Sequence, residues 1–254
     1  MTMSRRRKTP VQIDVVEPAA CSVDVRRAIL QKVPFLNGLS ASDIDVVNEQ
    51  FREFGFEPGE SIYFSGETAV NLYVVAAGQV KLLRHSVSGQ DVLLDVLQPG
   101  DYFGNLSTLA DDVYPDTAQA HTAVCVLSIS SEAFRTLLSQ YPSVALSVLD
   151  ITTRRLRDTQ KIVQQLSTDS AEQRLAAVLL KLADKLGEVT SDGILIQMPL
   201  SRDDLAQMTG TTTETASRII SQFQKEGVVH GGRQWIAITN KAKLEAIAGT
   251  EDPA

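Results

Sequence analysis

The sequence predicts an α+β fold in two domains, and three features of the chain support this prediction. Between residues 53 and 130, short apolar runs alternate with glycine turns about every ten residues, which is typical of antiparallel sheets. Residues 143–167 have helical periodicity and contain neither glycine nor proline. Residues 169–248 combine short helical patterns with short strand patterns. The hydrophobic fraction of 43% and the charged fraction of 22% are those of an ordinary globular protein.

The first segment, residues 1–22, has no hydrophobic periodicity, and we interpret it as a disordered leader. The alternative is that its basic start forms an arm that touches DNA. No apolar stretch follows its basic start, so it does not have the pattern of a secretory signal. No run of about 18 apolar residues indicates a membrane helix. The two cysteines, Cys21 and Cys125, are too few for a disulfide framework. We therefore expect a protein of the reducing cytoplasm.

The first domain is expected to span residues 23–142. A helical pattern covers residues 23–33, and a second helix begins at Ser40, which forms a capping pair with Asp43. The strand-like runs that follow predict an antiparallel sandwich or barrel; they are residues 72–75, 80–83, 92–94 and 123–127. A further helix begins at Ser130 or Ser131 and ends near Tyr141.

A long helix is predicted for residues 143–168. Leu149, Leu156 and Val163 recur every seven residues along it. Leu166 lies in a second row whose other positions hold threonines, so the seam is imperfect. Such a stripe favours pairing with a second copy of the helix. The alternative is that the helix packs on its own sheet.

The last domain, residues 169–248, contains a helix-turn-helix pattern, and residues 249–254 form a tail. Ser201 has the character of an N-cap, and Gly210 supplies the tight turn between two helices. The second helix is predicted to run from Thr212 to Lys225 and to close at Gly227. Strand-like runs at 228–229 and 235–238 follow, which completes a winged helix-turn-helix.

The second helix of this motif carries polar side chains opposite its apolar face. Arg218 can donate twice to guanine, Glu214 can accept from a cytosine amino group, and Ser217 can contact a base or a phosphate. The alternative is a surface ion pair between Glu214 and Arg218, which are four residues apart. From residue 171 onward, 9 Lys and Arg stand against 11 Asp and Glu, which predicts weak non-specific affinity for DNA. The predicted DNA-binding residues are Glu214, Ser217, Arg218, Thr213, Thr211 and Ser201.

Over about residues 30–245, the chain resembles the Crp/Fnr superfamily of transcription regulators. Glycine motifs carry the resemblance at residues 58–63 (Pro-Gly-Glu-Ser-Ile-Tyr), 73–78 (Tyr-Val-Val-Ala-Ala-Gly) and 99–104 (Pro-Gly-Asp-Tyr-Phe-Gly), with Glu214-Thr215-Ala216-Ser217-Arg218 in the recognition helix. The resemblance implies a cyclic-nucleotide-binding-like β-roll before the long helix. It also implies a homodimer on palindromic DNA with TTGAT-type half-sites, and a contact with RNA polymerase.

Two other functional classes are alternatives to this interpretation. A ligand-binding regulatory module could act through protein contacts rather than DNA. An enzyme is not expected, because the chain has no Ser/His/Asp set, no phosphate-binding glycine loop and no metal-spaced ligands. Asp111 and Asp112 form only an isolated acidic pair on a predicted loop.

The resemblance places a candidate sensor pocket in the β-roll. Family members that bind cyclic nucleotides hold the ribose with a Glu and the phosphate with an Arg, whereas this chain has Asn105 and Asp116 at those positions. No arginine occurs between Arg84 and Arg135. An acidic side chain repels a phosphate, so we do not expect cyclic AMP to bind. The pocket residues are Gly104, Asn105, Leu106, Ser107, Asp116 and Thr117.

Other signals remain open at this point. A [4Fe–4S] cluster is not expected, because two cysteines cannot supply four thiolates. His85 and His121 are candidate haem ligands, although a histidine is more often structural or solvated than bound to a metal. Cys21 is a candidate redox thiol, whereas Cys125 lies in an apolar strand and is expected in the core. An unknown small molecule, or control by protein abundance alone, completes the alternatives.

Overall fold

The computed structural model describes residues 23–85, 91–105, 112–232 and 234–249. These residues divide into two compact units, with the boundary between Lys161 and Ile162. In the described part of the chain, no helix is long and apolar enough to cross a membrane.

The first unit contains two four-stranded sheets, and every strand pair in them is antiparallel. One sheet has the order β1-β8-β3-β6 and the other has the order β2-β7-β4-β5. The predicted antiparallel architecture is therefore confirmed. The strands are β1 (Arg52–Phe56), β2 (Ser61–Tyr63), β3 (Asn71–Ala77), β4 (Val80–His85), β5 (Asp91–Leu97), β6 (Tyr102–Gly104), β7 (Thr117–Ala120) and β8 (Val124–Ser130).

Three short helices flank these sheets: α1 (Val23–Leu30), α2 (Ala41–Asn48) and α3 (Ser131–Gln140). Ser40 caps α2 in a capping box with Asp43, as predicted. The first helix ends at Leu30 rather than at residue 33. Pro34 has no N–H to donate to the Leu30 carbonyl, which instead accepts from the Val33 N–H at 3.1 Å in a tighter turn.

Two apolar clusters form the interior of the first unit. One lies between helices α1 to α3 and the sheet that contains β3 and β8; Phe35, Leu72, Leu127 and Phe134 are among its members. The other cluster lies between the two sheets. It is rich in aromatic rings and includes Tyr63, Tyr73, Phe103 and Tyr114.

The long helix is α4 (Pro142–Thr168), within one residue of the predicted bounds. One side of its first turns packs on the core of the first unit through Val144, Val148 and Ile151. The stripe that repeats every seven residues does not take part in that packing. Its side chains are exposed, Leu149 by 61%, Leu156 by 59% and Val163 by 59%, and Leu166 of the second row is exposed by 52%.

The second unit packs short helices around one sheet of order β11-β12-β10-β9. After the end of α4, its elements are α5 (Ala171–Leu186), β9 (Gly187–Thr190), β10 (Gly193–Ile196), α6 (Arg202–Thr209), α7 (Thr213–Lys225), β11 (Val229–Gly232), β12 (Trp235–Ile238) and α8 (Lys241–Ala248). Strand β9 and helix α8 were not predicted from the sequence. Strand β11 continues through two glycines, and because glycine is depleted in strands, the hydrophobic pattern indicated only its beginning.

Candidate nucleic-acid interface and sensor site

Helix α6 begins and ends at residues that were recognisable in the sequence. The Ser201 hydroxyl accepts a hydrogen bond from the backbone N–H of Asp204 at 3.0 Å, and the Asp204 carboxylate accepts from the Ser201 N–H at 2.9 Å. Gly210 ends the helix with φ at 62°, in the left-handed region that favours glycine. The turn from α6 into α7 therefore follows from local sequence.

The apolar face of helix α7 packs in the core of the second unit and fixes the helix in place. Ala216, Ile219, Ile220 and Phe223 are each at most 3% exposed. At the N-terminus, the Thr212 hydroxyl accepts from the N–H of Thr215 at 3.2 Å. The helix therefore presents a defined opposite face to solvent.

That opposite face carries Glu214 and Arg218, and both side chains are exposed. In the part of the chain that the structure describes, no hydrogen bond or ion pair joins them. The surface ion pair considered as an alternative does not form. A carboxylate acceptor and a guanidinium donor are therefore both available to an external ligand, with the partly buried Ser217 between them.

The three remaining predicted DNA-binding side chains make hydrogen bonds within the protein. Ser201 is occupied by its capping box. The Thr211 hydroxyl donates to the carbonyl of Thr212 at 3.3 Å. The Thr213 hydroxyl donates to the carboxylate of Asp203 at 3.0 Å. The sequence did not indicate this contact between α6 and α7.

The hairpin of β11 and β12, which forms the wing of the motif, contacts the C-terminal end of α7. The side-chain amide of Gln224 donates to the carbonyl of Gly231 at 3.0 Å. The rings of His230 and Trp235 meet edge to face, with centroids 5.2 Å apart. The hydrogen bond connects α7 with β11, and the ring contact joins β11 to β12 within the hairpin.

At the candidate sensor pocket, the described side chains make contacts with one another. The Tyr63 hydroxyl donates to the carboxylate of Asp116 at 2.9 Å. The ring of Tyr63 stacks on Tyr114 with centroids 3.8 Å apart, and Tyr73 stacks on Phe103 at 5.2 Å. Burial raises the pKa of Tyr63, and the neighbouring charge of Asp116 raises it further.

The charge of Asp116 is only partly compensated. Burial raises the pKa of its carboxyl group, while the Tyr63 hydrogen bond and the charges of Arg84 and Arg155 act in the opposite direction. These two arginines come from β4 and α4, and the sequence did not indicate that they are neighbours of Asp116. Arg155 also lies over the ring of Tyr102, with the guanidinium carbon 4.1 Å from the ring centroid.

Three further pocket residues are among the described ones. The Asn105 amide donates to the carbonyl of Ala69 at 2.8 Å, and Asn105 is only 7% exposed. A Cβ on Gly104 would lie 2.8 Å from the carbonyl oxygen of Asn71, so the strand approaches too closely for a side chain. Thr117 accepts from the N–H of Ser65 at 3.1 Å. Leu106 and Ser107 lie outside the described residues.

These residues do not fit a cyclic nucleotide held as the resemblance implies. The ribose position has the buried amide of Asn105 instead of a carboxylate. The phosphate position has the carboxylate of Asp116, which already accepts from Tyr63. A phosphate that replaced the family's arginine contact would meet the like charge of Asp116, which the neighbouring Arg84 and Arg155 compensate only in part.

The remaining sensor candidates are placed as follows. His85 is exposed and lies 2.7 Å from the Asp91 carboxylate. His121 is partly buried, and its backbone N–H donates to Gln79 at 2.8 Å. Among the described residues, no cluster of three or more His, Cys, Asp or Glu side chains is arranged to hold a metal ion.

Cys125 is buried in β8, as expected, but it takes part in a disulfide, which sequence reasoning did not anticipate. Cys21, the candidate redox thiol, lies outside the described residues. Disulfide bonding removes Cys125 from consideration as a free core thiol.

Comparison with known proteins identifies both units. The model of the Crp-like helix-turn-helix domain matches residues 173–247, and the model of the cyclic nucleotide-binding domain matches residues 53–141. The cyclic AMP receptor protein of Thermus thermophilus is 31% identical over 215 residues, which are 85% of this chain and 96% of that protein. The chain belongs to the Crp/Fnr superfamily of transcription regulators.

Further relatives agree with this membership. A CRP-like cAMP-activated global transcriptional regulator of Mycobacterium tuberculosis is 27% identical over 216 residues, which are 85% of this chain and 93% of that protein. The structure of FixK2 from Bradyrhizobium japonicum matches with a TM-score of 0.69 at 25% identity, covering 78% of this chain and 96% of FixK2. This Crp/Fnr regulator thus has the predicted architecture of a β-roll, a long helix and a winged helix-turn-helix.

Proposed function

We propose that this Crp/Fnr regulator binds palindromic DNA as a homodimer and reads TTGAT-type half-sites with α7. The observation that carries the proposal is the pair Glu214 and Arg218, exposed on one face of α7 and not bonded to each other. A bidentate guanidinium selects guanine, and a carboxylate selects the cytosine amino group. The TTGAT sequence itself rests on the family resemblance of residues 214–218.

The buried face of α7 supports this proposal. Because Ile219, Ile220 and Phe223 are at most 3% exposed, the helix cannot rotate without opening the core of its unit. A reading face held in this way can discriminate between bases, because its donors and acceptors are set before DNA arrives. Thr211, Thr213 and Ser201 then belong to the scaffold of that face, because their side chains make hydrogen bonds within the protein. Any DNA contact they make would be in addition to these hydrogen bonds.

Dimerisation is proposed to occur through α4. The exposed stripe of Leu149, Leu156 and Val163 repeats every seven residues, and the opposite side of the helix is already used against the first unit. Two copies would bury these side chains against each other. The resulting functional divisions are residues 23–142 for the sensor, 143–168 for dimerisation and 169–248 for DNA binding.

We propose that the β-roll transmits a signal other than a cyclic nucleotide held by the family's Glu and Arg. The internal hydrogen bonds of Asn105 and Asp116 support this, since binding cyclic AMP there would break them and bury a charge against a phosphate. The regulator is proposed to act in the cytoplasm and to contact RNA polymerase at its target promoters.

A gel-shift titration with a duplex that contains two inverted TTGAT half-sites tests the DNA-binding proposal. Arg218→Ala is compared with Lys225→Ala, which removes an exposed cation from the last turn of the same helix. We expect Arg218→Ala to weaken binding at least tenfold, since a bidentate base contact contributes about 1–3 kcal/mol. We expect Lys225→Ala to bind like the wild type. Equal binding by all three proteins would contradict the proposal and favour a module that acts through protein contacts.

A further inference from the structure

A carboxylate links the two helices of the DNA-binding motif. One oxygen of Asp203 accepts from the Thr213 hydroxyl at 3.0 Å, and the other accepts from the Gln207 amide at 2.7 Å. Thr213 is the first residue of α7, next to the exposed Glu214. Asp203 itself is exposed, so its negative charge lies beside the reading face in contact with solvent.

This arrangement has two physical consequences. The hydrogen bond fixes the first residue of α7 relative to α6, which limits how the reading face can move. The charge lies at the N-terminus of α7, where the helix dipole would otherwise attract a phosphate group. A carboxylate already in that place stabilises the free protein and repels any DNA phosphate that approaches it, and only cognate DNA offsets this repulsion with base contacts.

We propose that Asp203 is a positioning and specificity-determining residue of the DNA-binding face. It holds Thr213 in place for specific binding, and its charge lowers the affinity for non-cognate DNA. This inference rests on the proposed function and concerns the same surface. The 9 basic and 11 acidic residues from residue 171 onward agree with this role, because the attraction to phosphates supplies nearly all of non-specific binding, whereas specific sites add base contacts.

Two substitutions separate the charge from the hydrogen bond. Asp203→Asn keeps an oxygen that can accept from Thr213 and removes the charge. Thr213→Val keeps the shape of the threonine and removes the donated hydrogen bond, while the charge of Asp203 remains. Asp192→Asn is the matched control, because it makes the same change in net charge at an exposed position in the turn between β9 and β10.

The experiment measures fluorescence anisotropy of full-length protein with two duplexes at several salt concentrations: the TTGAT palindrome and a scrambled duplex of equal composition. We expect Asp203→Asn to bind the scrambled duplex about fivefold more tightly at low salt, as removal of one close like charge implies. Affinity for the palindrome should change less, so the ratio of specific to non-specific affinity falls. Thr213→Val should instead weaken binding to the palindrome and leave scrambled DNA unaffected.

The outcomes distinguish the inference from the proposed function. If the wild type does not prefer the palindrome, the proposed function fails. If it prefers the palindrome but Asp203→Asn leaves the affinity ratio and its salt dependence as in Asp192→Asn, the role of the Asp203 charge is overturned. A loss of affinity for both duplexes in equal proportion would also overturn it, because a purely structural residue would produce that result.

Discussion

The two units of this regulator use their polar side chains in opposite ways. In the helix-turn-helix unit, the Glu214 carboxylate and the Arg218 guanidinium are exposed and not bonded to each other. In the β-roll, Asp116 and Asn105, which belong to the predicted ligand site, are each bonded to the protein itself. The difference indicates that one surface is prepared for an external partner, whereas the other is completed by the chain.

The largest expected effect tests whether the reading face depends on its buried scaffold. Phe223 is 0% exposed, and Phe223→Ala should lower the free energy of unfolding by about 3–5 kcal/mol, because it removes a large apolar side chain and leaves a cavity. Thermal denaturation should show an earlier transition, with DNA binding lost in parallel. Arg218→Ala is the control, and it should lose DNA binding without a change in Tm. A loss of DNA binding in Phe223→Ala with an unchanged Tm would contradict the scaffold role.

The next largest effect is expected when the proposed dimer separates and each protein molecule has only one α7 to read DNA. Leu156→Glu places a charge in the exposed stripe of α4, and we expect the native mass to fall from dimer to monomer. Affinity for the palindrome should then fall at least about a hundredfold, since the second half-site no longer contributes. Gln164→Glu adds the same charge at an exposed position of α4 outside the stripe, and it should remain dimeric. A Leu156→Glu variant that stays dimeric would place the dimer interface elsewhere.

A smaller effect is expected from the buried charge in the β-roll. The folded pKa of Asp116 is raised above 3.8, so the native state binds this proton more tightly than the unfolded chain does. The free energy of unfolding therefore falls as the pH rises from 3.8 through the folded pKa. Asp116→Asn removes that loss and can still accept from Tyr63.

We expect Asp116→Asn to have a higher Tm than the wild type at neutral pH, and the difference should shrink as the pH falls toward 3.8. Asp150→Asn, at an exposed position of α4, should follow the wild type at every pH. A lower Tm for Asp116→Asn at neutral pH would mean that the ionised carboxylate stabilises the β-roll, which reverses our interpretation of the site.

The last prediction is that cyclic AMP has no effect on the protein. Isothermal titration with about 1 mM cyclic AMP should give no binding heat, and the Tm should not move, because a ligand that does not bind the native state cannot stabilise it. A clear rise in Tm would show that Asp116 and Tyr63 separate to admit the nucleotide. The contrast between the two units would then be wrong.

Local features of the fold could be predicted from the sequence. The caps at Ser40 and Ser201 and the turn at Gly210 depend on residues three or four positions apart, and all three are present. The face of α7 follows from helical periodicity alone. For the same reason, the spacing of Glu214 and Arg218 was sufficient to place them together on one side of the helix.

Long-range contacts could not be predicted in this way. The hydrogen bond between Tyr63 and Asp116 joins residues 53 positions apart in the sequence. The hydrogen bond from Arg155 to the carbonyl of Tyr102 also spans 53 positions. Nothing in local periodicity encodes such pairs. The Thr213 contact with Asp203 spans only 10 residues, yet it crosses the turn between two helices, so the periodicity of neither helix indicates it. The sensor could therefore be predicted less completely than the reading face.

The most direct test of the central claim measures which base Arg218 reads. Wild type and Arg218→Ala are titrated, by anisotropy at one fixed salt concentration, with four palindromic duplexes that differ only at the guanine of each TTGAT half-site. We expect the wild type to prefer guanine by about 1–3 kcal/mol per half-site and Arg218→Ala to bind all four duplexes with equal, reduced affinity. A variant that keeps the wild-type preference for guanine would contradict the claim, because another residue would then be reading that position.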